Sequence, residues 1–222
     1  EGIGIEGYYS QYLKGVPGQK LVEGPIYGRG MGKVPVIMPA QDGVSLTLTL
    51  DLNIQYKAER ELEMALAAEK TLTGCIVIMD PRTGEILAMA GRPTFDLNDI
   101  GAVPKSVWNN PAIVDAWEPG SIMKILTFAA ALAAGKITSS STFVDRSPYR
   151  YHGVAITNRN NKSYGTLTPA QALQYSSNVV SVQVANALST TTFYTYMTTA
   201  FGIGVRTGID LPGEATGAIR LP

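Results

Sequence analysis

The chain has 222 residues, enough to bury a full core and to hold one large domain or two small ones. Its 18 basic and 18 acidic residues cancel, and no run of like charge stands out, which argues against nucleic acid or an anionic lipid surface as a partner held by bulk charge. One cysteine and one histidine exclude an internal disulfide and leave no zinc or iron–sulfur spacing, so neither metal nor cofactor is expected.

The first forty residues are rich in Gly, Pro and Tyr, show no lasting period, and read as an irregular arm or linker. Val44, Leu46, Leu48 and Leu50 then alternate with Ser45, Thr47 and Thr49, which predicts a half-buried strand. Asp51 opens a helix with Ile54, Ala58, Leu62, Ala65 and Leu66 on one face. Residues 74–79 and 85–90 are apolar runs flanking Asp80-Pro81-Arg82-Thr83-Gly84, a turn with Pro and Gly where a hairpin needs them. Cys75, inside the first run, reads as a small core residue. Strand, helix and antiparallel strands in this order make the chain α+β.

After a polar loop comes Trp117-Glu118-Pro119-Gly120-Ser121-Ile122-Met123-Lys124, leading into an apolar helical stretch from Ile122 to about Ala134, with Gly135 as its C′ residue. That stretch is interrupted by Lys124 and falls short of the roughly 20 residues needed to cross a bilayer. Residues three apart on a helix lie on one face, so Ser121 and Lys124 can meet if the helix starts near Gly120. A serine hydroxyl needs a neighbouring base; a triad would use histidine, and here the only one is His152. Lysine can replace it when its amine is neutral. Moving its pKa from about 10.4 to about 7 disfavours the charged form by roughly 4 to 5 kcal/mol, which burial or a second cation can supply. Ile122, Met123, Ile125, Leu126 and Phe128 are the expected apolar setting. At a helix N-terminus, the backbone N–H of Ser121 could also face a developing oxyanion. The spacing alone is equally that of an N-cap serine followed by a solvated lysine.

Downstream, Thr168-Pro169 predicts an N-cap with proline at N1, and a short helix that stops at Tyr175-Ser176-Ser177-Asn178 before a new apolar stretch, 179–188. A hydroxyl at Ser176 and a carboxamide at Asn178, on a connection between helices, can face one cleft, the first to relay a proton and the second to hold a carbonyl.

Glu-Pro-Gly-Ser-x-x-Lys followed by Ser176-Ser177-Asn178 resembles the first two active-site motifs of the penicillin-binding proteins. Similarity extends to Gly4-Ile5-Glu6, Tyr12-Leu13-Lys14-Gly15, the stretch 49–55, the stretch 79–90, and Thr207-Gly208-Ile209-Asp210-Leu211-Pro212-Gly213-Glu214, in the manner of the class B type. The resemblance implies a penicillin-binding protein/serine β-lactamase-like transpeptidase fold, an antiparallel sheet with a helical subdomain. Residues 1–40 would be the end of a non-catalytic pedestal or linker, and residues 41–222 the N-terminal portion of the transpeptidase domain. It implies Ser121 as the nucleophile on the penultimate D-Ala carbonyl of a peptidoglycan stem peptide, Lys124 as its proton acceptor, Ser176 as the relay to the leaving amine, and Asn178 as the group that binds the acyl amide. β-Lactams would acylate the same Ser121.

The family's third motif, Lys-Thr-Gly or Lys-Ser-Gly on an edge strand, is missing from this sequence; Arg206-Thr207-Gly208 comes too soon and reads as structural. The chain is therefore expected to stop before the strand that walls the other side of the cleft, to need the C-terminal part of its own domain as a partner, and to be weakly active or inactive alone. A wall-synthesis glycosyltransferase complex is the other expected partner. The intact protein would sit on the extracytoplasmic face of the cell membrane, held by an N-terminal transmembrane helix that this chain does not contain. The alternatives are a β-lactam sensor, disfavoured by Asn178 where such relatives carry valine, and a non-catalytic scaffold of the cell-wall machinery.

Overall fold

The computed structural model describes residues 3–20 and 36–220, and these divide into two compact units. One comprises Glu1–Asp115 with Gly208–Ala215; the other comprises Ala116–Thr207 with Thr216–Pro222.

In the first unit the arm is more regular than its composition suggests. Helices α1 (Gly4–Tyr8) and α2 (Ser10–Leu13) precede strands β1 (Gln19–Lys20) and β2 (Val36–Met38), which pair antiparallel. Residues 21–35, the middle of the expected arm, lie outside the described residues. Gly15, Gly18 and Gly43 each sit against backbone: a Cβ on Gly43 would lie 2.0 Å from the Leu13 carbonyl oxygen, so no other residue fits there.

Helix α3 (Leu52–Glu69) starts where Asp51 predicts it, with Asp51 Oδ1 accepting from the N–H groups of Asn53 and Ile54 at 2.8 and 3.0 Å. It packs on the hairpin of β3 (Gly74–Met79) and β4 (Ile86–Arg92) through Ala58 and Leu62 against the small Ala88 and Ala90. Ile76 and Ile78 pack on this cluster, so the period of two sends Cys75, Val77 and Met79 to the opposite, exposed face. The burial expected of Cys75 is thereby corrected. Ala65 is also exposed, at the edge of the helical face. The unit closes with α4 (Pro111–Val114), capped by Asn110.

The strand expected over 44–50 is not formed. Its segment forms no ladder and is held to the hairpin by Thr49 Oγ1 donating to the Ile86 carbonyl and Asp51 N–H donating to the Leu87 carbonyl. Val44, Leu46, Leu48 and Leu50 are exposed. Alternation marks the side chains for one covered face, but among the described residues no strand lies alongside to cover it.

The second unit is built on α5 (Met123–Ala133), which follows a 3₁₀ turn at Gly120–Ile122 and ends at Gly135 in the left-handed conformation. Strands β5 (Phe143–Asp145) and β8 (Gly165–Leu167) pair antiparallel around the hairpin of β6 (Tyr149–Tyr151) and β7 (Val154–Ile156). Then come α6 (Pro169–Gln174), α7 (Asn178–Ala187), α8 (Thr190–Thr195) and a π turn at Tyr196–Ala200. Thr168 and Gln171 form the full capping box at α6, with proline at the first turn as expected. The core gathers Phe128 and Ala131 of α5, Ala172 of α6, and Val180 and Val184 of α7, with Leu188 and Met197. This packing of α5 against α6 and α7 brings the start of α5 beside the α6–α7 connection.

Candidate active site

Ser121 lies in the 3₁₀ turn and Lys124 in the first turn of α5, so their side chains stack one turn apart. Gly120, just before, holds φ +58 with open space around its missing Cβ; it is required for its backbone angle and not for room. Lys124 Nζ donates to Ser121 Oγ at 3.2 Å, to the Ser176 carbonyl at 2.7 Å and to Ser176 Oγ at 2.9 Å. Ser176 Oγ in turn donates to Ser121 Oγ at 3.2 Å. Three of the four expected residues therefore share one closed hydrogen-bond set. Ser121 makes no capping bond with its side chain, so the simple N-cap explanation of its spacing does not hold.

Ser176 takes part twice, and its backbone is left-handed, at φ +51. That conformation costs a non-glycine residue about 1–2 kcal/mol, and here it accompanies a carbonyl and a hydroxyl that both accept from one amine. Burial lowers the pKa of Lys124 from its ordinary value. The apolar setting differs in part from expectation: Ile122 and Ile125 are exposed, because successive residues turn away by about 100° on a helix, while Phe128 is buried and Met123 and Leu126 pack on the core.

Asn178 is placed differently. Its Nδ2 donates to the Thr157 carbonyl at 2.8 Å and its backbone N–H donates to Asn158 Oδ1 at 2.8 Å, with no hydrogen bond to the other three. Between them in sequence, Ser177 is fully buried and caps α7 by accepting from the Val180 N–H at 3.0 Å. His152 sits exposed in the β6–β7 turn with its ring against Tyr151, so it forms no triad with Ser121. Arg206, Thr207 and Gly208 lie in no strand. Among the described residues no cluster of three or more His, Cys, Asp or Glu side chains could hold a metal ion. Asn158, buried beside Asp145, is the residue that sequence reasoning missed; a lone asparagine in a polar run gives no signal.

The penicillin binding protein transpeptidase domain, as a family, matches residues 74–221, two-thirds of the sequence and all of the cluster just described. The chain belongs to the penicillin-binding protein transpeptidase family. It is 34% identical over 215 residues to the peptidoglycan D,D-transpeptidase FtsI of Escherichia coli (strain K12), covering 96% of this chain and 36% of that protein. It is likewise 34% identical over 220 residues to the stage V sporulation protein D of Bacillus subtilis (strain 168), covering 98% of this chain and 34% of that protein. The fold matches that of penicillin-binding protein 2X from Streptococcus thermophilus with a TM-score of 0.82 at 24% identity, over 97% of this chain and 32% of that one. The α+β transpeptidase fold and the class B membership expected from the motifs are met. The chain spans about a third of the length of these curated relatives. Among its described residues no helix is long and apolar enough to cross a membrane.

Proposed function

We propose that this chain carries the nucleophilic half of a peptidoglycan D,D-transpeptidase that works through an acyl-serine intermediate. The observation that carries the reading is the set of three bonds at Lys124 Nζ. An ammonium has three donors and no acceptor, and fills all three partners. The neutral amine has two donors and a lone pair; donating to the Ser176 carbonyl and hydroxyl, it turns its lone pair to the Ser121 hydroxyl. Burial favours that neutral form.

Ser121 Oγ attacks the carbonyl carbon of the penultimate D-Ala as its proton passes to Lys124. The resulting oxyanion is met by the Ser121 backbone N–H in the first turn. Lys124 returns the proton through Ser176 Oγ to the departing amine, the terminal D-Ala leaves, and the ester remains on Ser121. A neighbouring stem's amine attacks that ester by the same relay in reverse, closing the cross-link. Asn178 binds the amide of the acyl donor from the edge of this cluster. A β-lactam presents its strained amide to the same hydroxyl.

The substrates are accordingly stem peptides, the inhibitors β-lactams, and the setting the extracytoplasmic face of the membrane, beside a glycosyltransferase that supplies the strands. Incubation with benzylpenicillin and intact-mass spectrometry test the reading. One adduct per molecule, mapped to the Ser121 peptide and lost in Ser121→Ala, is expected of the protein with its whole catalytic domain; an adduct that survives Ser121→Ala, or none on that folded protein, overturns it.

A further inference from the structure

The α6–α7 connection is held from behind by two side chains outside the proton relay. Asp145, at the end of β5, and Asn158 are 1% and 4% exposed. Both Asp145 carboxylate oxygens accept from Asn158 Nδ2, at 2.8 and 2.9 Å, and among the described residues Asp145 has no cationic partner. The same Nδ2 donates to the Lys162 carbonyl at 2.9 Å. On its other side, Asn158 Oδ1 accepts from the backbone N–H groups of Asn178 at 2.8 Å and Val179 at 3.3 Å.

Chemical type leaves one orientation for this chain of bonds. A carboxylate only accepts, a backbone N–H only donates, and an asparagine amide offers one side for each. Asp145 therefore dictates which way Asn158 faces. A helix begins with N–H groups that have no helical carbonyl. In α7 the first two go to Asn158 and the third to Ser177 Oγ. Asn178 is gripped again through the carbonyl of Thr157, the residue next to Asn158. Ser176 stands two residues ahead, so the placement of its hydroxyl and carbonyl on Lys124 follows from where α7 is pinned.

We infer that Asp145 and Asn158 are positioning residues that set the Ser176–Asn178 connection against Ser121 and Lys124. The catalytic consequence rests on the acyl-serine reading; the clamp itself does not.

Asn158→Asp is the informative variant, since it sets a second carboxylate against Asp145 and removes the donor between them. The expected result at pH 7 is a fall of at least tenfold in the rate of β-lactam acylation, with amide exchange at Asn178 and Val179 accelerated at least tenfold. The double variant Asp145→Asn with Asn158→Asp restores an amide opposite a carboxylate, and the new carboxylate still accepts from both backbone N–H groups. It is expected to recover acylation and protection to within threefold of the parent, the remainder reflecting the lost bond to Lys162. A folded Asn158→Asp protein with parental acylation and protection overturns the inference, as does a double variant no better than the single one. If Asn158→Asp does not fold, Asp145→Asn alone decides: exchange at Asn178 at least threefold faster is expected, and unchanged exchange overturns. If the parent protein takes no acyl group on Ser121, the acyl-serine reading falls, while exchange at Asn178 and Val179 still tests the clamp.

Discussion

Lys124 Nζ lies 2.7 Å from the carbonyl oxygen of Ser176, a residue 52 positions further along the chain. Hydrogen-bonding one side chain of α5 to the backbone of the α6–α7 connection makes the proposed proton acceptor and the proposed relay a single unit. Altering either end should therefore be felt at the other.

The pH dependence of acylation should report Lys124. Its pKa is lowered by burial, so the neutral amine proposed to accept the Ser121 proton appears below the ordinary lysine range near 10.4. The acylation rate is expected to rise with pH and level off below that value. Because the folded protein releases this proton first, the energetic penalty of the half-buried ammonium is present below the folded pKa and relieved as pH rises toward the unfolded one. Lys124→Ala should slow acylation by about 10²–10⁴-fold, and Lys124→Arg, charged at every accessible pH, should give a flat, low profile in stopped-flow measurements with a chromogenic cephalosporin.

Ser176→Gly separates stability from activity. Glycine accepts φ +51 without penalty, so thermal unfolding should show a gain of about 1 kcal/mol. Loss of the hydroxyl should nonetheless reduce acylation, whereas Ser176→Ala should lose activity without the gain. Equal stabilities for the two variants would refute the strain argument.

Tyr9 hydrogen-bonds the Asp210 carboxylate, joining the N-terminal arm to the Gly208–Ala215 segment within one unit. The bond to Asp210, first, and burial raise the tyrosine pKa. A raised acid pKa stabilises the folded arm below the unfolded tyrosine pKa of about 10, and this is lost as pH climbs through the folded value. Hydrogen exchange of α1 and α2 should accelerate at alkaline pH in the parent protein. Tyr9→Phe should show the faster exchange already at neutral pH.

Phe128 is one turn beyond Lys124 on α5 and 1% exposed in the core. Phe128→Ala should destabilise its unit by about 3–5 kcal/mol in denaturant titration. Because it also opens the side of α5 that carries Lys124, acylation should become slower at neutral pH.

Much of this was legible where local chemistry acts alone. Asp51, Thr168 with Pro169, and Gly135 are found at the helix ends their capping chemistry predicts. Ser121, Lys124 and Ser176 meet as their spacing and the family motif imply. The misreadings share a cause: Leu46 and Leu48 follow a strand period, and Cys75 belongs to an apolar run, yet burial depends on a neighbour that local sequence does not specify. Asn158 was invisible for the complementary reason, since its role comes from Asp145 and Asn178, 13 and 20 positions away.

The exposed row of Val44, Leu46, Leu48 and Leu50 lies beside a two-stranded hairpin whose outer face shows Val77 and Met79. An exposed apolar row beside an exposed apolar hairpin face is a surface for association between copies of the chain. For work at the bench, this means that the isolated chain will be a difficult sample: its light-scattering size should grow with concentration and shrink with mild detergent, and dilute, cold stocks will be needed before any kinetic trace is read as that of a monomer.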